Sequence, residues 1–392
     1  MKRVSGIPTS SICAAVALVA ACWGHAQAQG AAAFPSSAAA TSSTQQAPAQ
    51  DSGFLNFFRK TELAGTADIY FHYNFNKPPT GSLTPLRNFD FEHNQFSLAL
   101  AELALSKPAT EDDRVGFRLD LDYGPVAAWV HSVDPGTPEV FQNIQQAYIS
   151  YLGDVGNGLT FDVGKFVTQH GAEVIEAKDN WNYSRSLLFS WAIPYYHMGV
   201  RVGYAATDKV TLGASLSNGW NNSTDNNSQK TWGFAATIKP TPALSIVQNY
   251  MIGPEQTDNT DDWRHLSDTT ITYTVNDKVS VMGNYDYGRD GILGQAVTWQ
   301  GVGLYVKAQV NPYFAVIPRW EYYNDEDGFT TGAAQNLQEF TLTAEVKHSQ
   351  GLITRFEYRR DWSDIDFFTK DGRPGANQNT FSVGFVYAFS TK

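Results

Sequence analysis

Residues able to do chemistry gather in one stretch, positions 164–204, which reads GKFVTQHGAEVIEAKDNWNYSRSLLFSWAIPYYHMGVRVGY. His170, Glu173 and Glu176 fall at i, i+3 and i+6, types that can ligate a metal. The HEXXH arrangement that sets two histidines on one helical face is absent, and three polar residues in a loop are ordinarily solvated. Ser184 and Ser186 carry hydroxyls but lack the G-x-S-x-G turn that presents a nucleophile. No glycine-rich strand-to-helix phosphate loop occurs, and Gly136-Thr137-Pro138 reads as a turn. The sequence thus offers no cofactor, metal or catalytic motif. It does offer mixed charge, with Lys165, Lys178 and Arg185 set among Glu173, Glu176 and Asp179. Such a set either fixes a loop by salt bridges or, beside a narrow aqueous path, selects solutes by radius and transverse charge.

The elements that position this stretch follow from composition and periodicity. The chain has 392 residues, room for one large or two ordinary domains. With 28 basic and 39 acidic residues its formal charge is −11, the wrong sign for a general nucleic-acid binder. Charged residues make up 17% and aromatics 14%, a balance suited to a β-protein with apolar surface rather than a cytosolic enzyme. Beyond the first thirty residues no apolar run nears the ~20 residues of a spanning helix. Alternation of period two recurs instead. Val115, Phe117, Leu119, Leu121 and Tyr123 share one face, with Arg118, Asp120 and Asp122 on the other. Phe381, Val383, Phe385, Tyr387 and Phe389 form a similar stripe, with Ser382, Gly384 and Val386 opposite.

The first residues read as an export signal. Lys2 and Arg3, the apolar Ile12–Ala21 and the small-x-small Ala26-Gln27-Ala28 predict a secretory signal over 1–28, cleaved after Ala28. Val19-Ala20-Ala21-Cys22 offers an alternative, a lipoprotein signal acylated at Cys22. Both cysteines, Cys13 and Cys22, lie in this segment, so cleavage leaves no thiol for a disulfide, metal or nucleophile. Residues 29–60 form a low-complexity leader rich in Ala, Ser, Thr, Gln and Pro, too poor in large apolar residues to build a core. Its end, Phe54 to Lys60, is either a short amphipathic surface piece or the lead-in to the first strand.

Connections alternate short and long along residues 61–392. Thr207-Asp208, Thr241-Pro242, Asn276-Asp277, Asn311-Pro312 and His348-Ser349-Gln350 recur at intervals of 34, 35, 35 and 37 residues, a hairpin-sized repeat. Between them lie long polar loops such as 218–230 and 362–377. Short turns near 107–113 and 153–158 bring the total to seven, hence eight hairpins and sixteen strands, with fourteen to eighteen as bounds. An export signal, short turns on one side, long loops on the other and apolar-out, polar-in alternation describe an all-β fold, an antiparallel up-and-down transmembrane β-barrel. Closure is the physical reason, because lipid offers no partner to an unpaired backbone group. Sixteen strands enclose an aqueous lumen. Parity points Arg118, Asp120, Asp122, Asp162, Arg201, Asp286, Lys307, Arg319, Glu321, Glu345, Lys347, Arg355, Glu357 and Arg359 inward. They serve either as cross-strand salt bridges stiffening the wall or as ion-selecting charge.

Residues 167–196 are far too long for a hairpin turn and too apolar for a solvated loop, since Leu187, Leu188, Phe189, Trp191, Ile193, Tyr195 and Tyr196 require burial. The loop is expected to fold inward or pack on the rim, with the inner wall as the favoured surface. The stretch GKF…GAEVIE…NWNYSRSLLFSWAIPYYHMGVR resembles the signature of the OmpL-like β-barrel porins of Gram-negative bacteria, over about forty residues. The resemblance implies an outer-membrane channel for passive diffusion of small hydrophilic solutes or ions, inserted by the barrel assembly machinery and bounded by outer-membrane lipid; oligomeric state stays open. One departure is the C-terminus, where Phe389 is followed by Ser390-Thr391-Lys392 rather than ending on the aromatic. The expected constriction comprises Lys165, Glu173, Glu176, Lys178, Asp179 and Arg185 of the loop with Arg118, Asp120, Asp122, Arg201, Arg319 and Glu321 of the wall. Two other classes stay open. A barrel enzyme of lipase or protease type would use wall histidines, for which His72, His93, His197 and His265 are candidates near loop ends. A receptor or adhesin would use the long loops.

Overall fold

The computed structural model describes residues 57, 59–79, 81–136 and 138–392. The expected signal, Cys22 and most of the leader lie outside the described residues. The strands are β1 (Glu62–Asn74), β2 (Gln95–Lys107), β3 (Val115–Tyr123), β4 (Ile144–Gly153), β5 (Leu159–Val167), β6 (Tyr196–Ala205), β7 (Val210–Ser217), β8 (Thr231–Thr241), β9 (Leu244–Pro254), β10 (Trp263–Asn276), β11 (Val279–Ile292), β12 (Gln295–Asn311), β13 (Phe314–Asp325), β14 (Gln335–Lys347), β15 (Leu352–Ser363), β16 (Phe368–Lys370), β17 (Arg373–Gly375) and β18 (Asn377–Ser390). Sixteen of them close into one antiparallel barrel, while β16 and β17 form a separate hairpin within the last long loop. The seam is made by β1 and β18, in register from Ala64↔Ser390 to Asn74↔Thr380, so no edge is left unpaired.

All seven expected short turns connect strands at one end of the barrel, the end where β1 begins and β18 finishes. The opposite end differs from expectation at one hairpin. Leu293-Gly294 joins β11 to β12 in two residues, both at positive φ (52° and 77°), the sense that matches strand twist. Outward positions carry an exposed apolar belt, including Ile149, Leu212, Phe234, Leu304, Phe356 and Phe385, which is stable only against lipid. Phe57 extends this surface by stacking on Phe117 at 5.8 Å between ring centroids. Inward positions are polar and mostly buried.

They are buried because loops fill the lumen from the long-loop end. Three short helices lie in these loops: α1 (Pro125–His131), α2 (Pro138–Phe141) and α3 (Leu187–Trp191). The β5–β6 connection spans 168–195, within the expected 167–196. Its Leu187, Leu188, Phe189, Ile193 and Tyr195, with Tyr196 at the start of β6, join the main apolar cluster, and Trp191 packs at its border. The β1–β2 loop enters too: Phe89 meets Phe189 at 5.9 Å, and Arg87 bonds Thr380 of β18.

Candidate functional site

The β5–β6 loop is held by charged side chains that alternation points inward. Arg319 on β13 donates from Nε to Glu339 (2.8 Å) and from Nη1 to both Glu173 (2.8 Å) and the Ser184 carbonyl (2.6 Å). Glu321 accepts the Leu187 and Leu188 amides at 2.7 and 3.1 Å, satisfying groups at the start of α3 that no helical partner reaches. Ser186 caps the same helix, its hydroxyl accepting from Phe189 N at 3.0 Å. Glu357 accepts the Tyr183 and Ser184 amides at 2.7 and 2.9 Å. Arg355 donates to the Ala177 and Asn180 carbonyls, both at 2.5 Å, while pairing with Glu345 at 2.7 Å. Arg359 donates to the Arg185 carbonyl at 2.6 Å. These charges are therefore spent on the loop backbone and on each other.

Apolar contacts complete the seat. A side chain at Gly301 would stand 2.7 Å from Leu188, and one at Gly384 only 2.3 Å from the Tyr183 ring. Both positions must be bare for the loop to lie flat. Tyr183 reaches on to Asp68 of β1 with its hydroxyl at 2.8 Å, and Trp299 Nε1 donates to the Ala192 carbonyl at 3.0 Å.

The expected constriction residues separate into two groups. Arg319 and Glu321 of the wall and Glu173 and Arg185 of the loop are buried where the two meet. Arg185 does not face the loop acids; it donates to the carbonyls of Val174, Tyr183 and Ile175 and lies 4.3 Å above the Phe89 ring. Lys165 stands apart, buried against His131 of α1, the Ile144 carbonyl (2.6 Å) and the Tyr196 ring (4.2 Å). Gly164, at φ 139°, precedes it. Arg201 pairs with Asp162 at 2.8 Å and covers the Phe166 ring. The second group keeps contact with water. Side-chain exposure is 40% for Arg118, 26% for Lys178 and 57% for Asp179. Arg118 pairs with the buried Asp120 at 2.7 Å, and Lys178 pairs with Asp179. Asp122 is buried close to Asp120 and Glu102.

Glu176 sits between the groups. Burial, then the Glu102 carboxylate, pushes it up to about 8. Glu102 was not among the expected residues; its isolated acid within LALAELAL was the available signal. His170, Glu173 and Glu176 do not converge: His170 bonds Thr168 (3.0 Å) and burial drives its imidazole down to about 3, keeping it neutral, while Glu173 is committed to Arg319. Among the described residues no three His, Cys, Asp or Glu side chains converge to hold a metal. The candidate histidines near loop ends are not all at the surface either. His72 is fully buried between Ser382 (2.8 Å) and Thr84 (3.0 Å), His197 bonds the Gly219 carbonyl, and His265 meets the Tyr250 hydroxyl on the outer wall.

Opposite the loop, the inner faces of β4–β8 hold Tyr148, Ser150, Thr160, Thr211, Ser215 and Thr237 half-buried. A cavity of 570 Å³ opens along this side at the short-turn end, lined by Arg114, Thr160, Thr211, Thr237 and Lys239 among others. A barrel of this size, an inward loop and a polar remainder of lumen are the parts of a diffusion channel. The pattern of the family described as putative beta-barrel porin-2, OmpL-like, matches residues 60–389. The chain belongs to that family. Solved barrels share its fold across 84% of this porin. The outer membrane channel DcaP of Acinetobacter baumannii superimposes with a TM-score of 0.56 at 12% identity over 97% of its own length. The anion-selective porin from Comamonas acidovorans gives 0.57 at 12% over 99%. The trimer form of Vibrio cholerae OmpT gives 0.55 at 11% over 99%. A search of curated protein sequences finds no match.

Proposed function

We propose that this outer-membrane porin passes small hydrophilic solutes along the β3–β8 side of its lumen, past a constriction built by the 168–195 loop. The observation that carries this reading is the division of charge. Arg319, Glu321, Arg355, Glu357 and Arg359 are sealed under the loop, while Arg118, Lys178 and Asp179 stay in water. A water-exposed set of both signs predicts size-limited passage with weak ion preference rather than strong selection. The signal is cleaved after Ala28, and the short turns face the periplasm. Self-association is supported by the trimer form of the Vibrio cholerae barrel.

Planar-bilayer conductance tests the reading directly. Replacing residues 172–190 by a short Gly-Ser linker should raise single-channel conductance severalfold in protein that still migrates as a folded barrel. Unchanged conductance would place the loop outside the path. A second route avoids the deletion. Both cysteines precede the cleavage site, so Lys178→Cys introduces a lone thiol, and a charged thiol reagent should lower conductance if the side chain borders the stream. Hydrolytic activity without conductance would favour the enzyme reading. Loop-dependent surface binding by a barrel that does not conduct would favour the receptor.

A further inference from the structure

Asp268 on β10 and Asp286 on β11 are direct cross-strand partners on the inner wall. Both are fully buried, and no lysine, arginine or histidine forms a salt bridge with either among the described residues. Their carboxylates lie within hydrogen-bonding reach of one another, with Glu321 as a further acidic neighbour. On β13–β15, by contrast, each buried acid has a basic partner or a set of loop amides. Here the negative charge is doubled and left without a counter-cation, an arrangement that burial penalises steeply.

The surroundings are oxygen-rich. Asn249 on β9 donates Nδ2 to Asp268 at 2.7 Å, which holds its amide against the pair, yet its Oδ1 has no partner. Asp286 Oδ2 has none either. Thr270, one inward step along β10 from Asp268 and directly opposite Asn284, is 6% exposed with its hydroxyl unpartnered. Three buried oxygens of different residues are thus unsatisfied on one patch, where buried polar groups ordinarily find partners.

We infer that this patch binds one hard divalent cation of the Ca²⁺ class, taken by Asp286 and Asp268 with the Asn249 amide oxygen and the Thr270 hydroxyl. The donor set is two carboxylates plus neutral oxygens, the mixture such ions prefer, and a double positive charge matches the pair. The site also touches the root of the constriction loop. Asn249 Nδ2 donates to the Gln169 carbonyl at 2.8 Å, Asn284 accepts the Ala172 amide at 3.2 Å while donating to Asp268 at 2.8 Å, and the Gly171 amide reaches Asp268. The cation therefore fastens residues 169–172 to β9–β11 from below and sets how firmly the loop is rooted.

The test uses the mature chain refolded in detergent without lipopolysaccharide, stripped with EDTA and titrated with Ca²⁺ by calorimetry. One equivalent should bind, and Ca²⁺ should raise the thermal unfolding midpoint. Asp286→Asn should weaken binding at least tenfold, and Asn249→Ala, which keeps both carboxylates, severalfold. Asp112→Asn, in an exposed turn, should leave binding unchanged. No binding by the wild-type barrel would overturn the assignment and leave the two carboxyls sharing a proton. Binding that survives both Asp286→Asn and Asn249→Ala would overturn it equally, by placing the ion elsewhere.

Discussion

The two halves of the inner wall use the same chemistry to opposite ends. From β10 through β15 and β18 to β1, arginines and carboxylates are dense, dry and engaged with the backbone of the 168–195 loop. From β3 to β8, Asp120, Asp122, Asp162, Lys165 and Arg201 are buried as well, but hydroxyl and glycine positions are frequent, and Arg118, Tyr148, Ser150, Thr160, Thr211, Ser215 and Thr237 remain partly in water. A charged residue lining a barrel is thus not evidence of selectivity by itself. On the first wall, charge serves as an anchor; on the second, Arg118 keeps contact with water. The difference lies in what covers each wall, because a buried ion must be neutralised by fixed partners whereas an exposed one is neutralised by water and salt.

Substitutions that exchange the roles should show this contrast most strongly in stability. Arg319→Ala strands Glu173 in a dry environment and leaves Glu339 with Arg359 as its one basic partner, and it should cost about 3–5 kcal/mol in reversible folding into lipid vesicles. Lys178→Ala removes a partly exposed pair and should cost about 0–1 kcal/mol. Comparable losses at both positions would erase the distinction between the walls.

Steric tolerance should divide in the same way. Gly384→Arg drives a side chain into the Tyr183 ring, so an inward position that alternation alone marks as permissive becomes intolerant. Thr211→Arg points into the 570 Å³ cavity and should fold nearly as the parent does. Leu119→Arg, on the lipid face, should cost about 2–4 kcal/mol if it lies at mid-membrane. Folding titrations of the three variants rank them, and a mild Gly384→Arg would show that the loop does not rest on β18.

The smallest effect concerns pH. Glu176 is raised to about 8 from an ordinary 4.5, so between those values the folded state holds a proton that the unfolded chain has released. Stability from this group is full below about 4.5, declines as pH rises through 8 and is flat beyond it. Ionisation also adds negative charge beside Lys178, so cation preference measured by reversal potential should rise modestly from pH 7 to 9. Glu176→Gln should abolish both slopes; a slope that persists would assign the titration to another group.

Much of this was legible in the chain. Period-two stripes such as Val115–Tyr123 require one apolar and one polar face, and seven short turns at hairpin spacing require sixteen strands, because lipid admits no unpaired backbone. The inward fold of 167–196 followed from seven large apolar side chains that water would not accept. What alternation could not supply is which inward charges stay wet. Arg118 and Arg319 have the same parity and the same chemistry in sequence, yet one is 40% exposed and the other is sealed. That outcome depends on where a loop distant in sequence comes to rest, and on the bare glycines at 301 and 384 that let it lie there. Local pattern determines the face of a strand, since it is set by backbone geometry two residues at a time. Only the closed barrel decides which part of that face a distant segment will cover, because that is settled by packing among strands brought together by the closure itself.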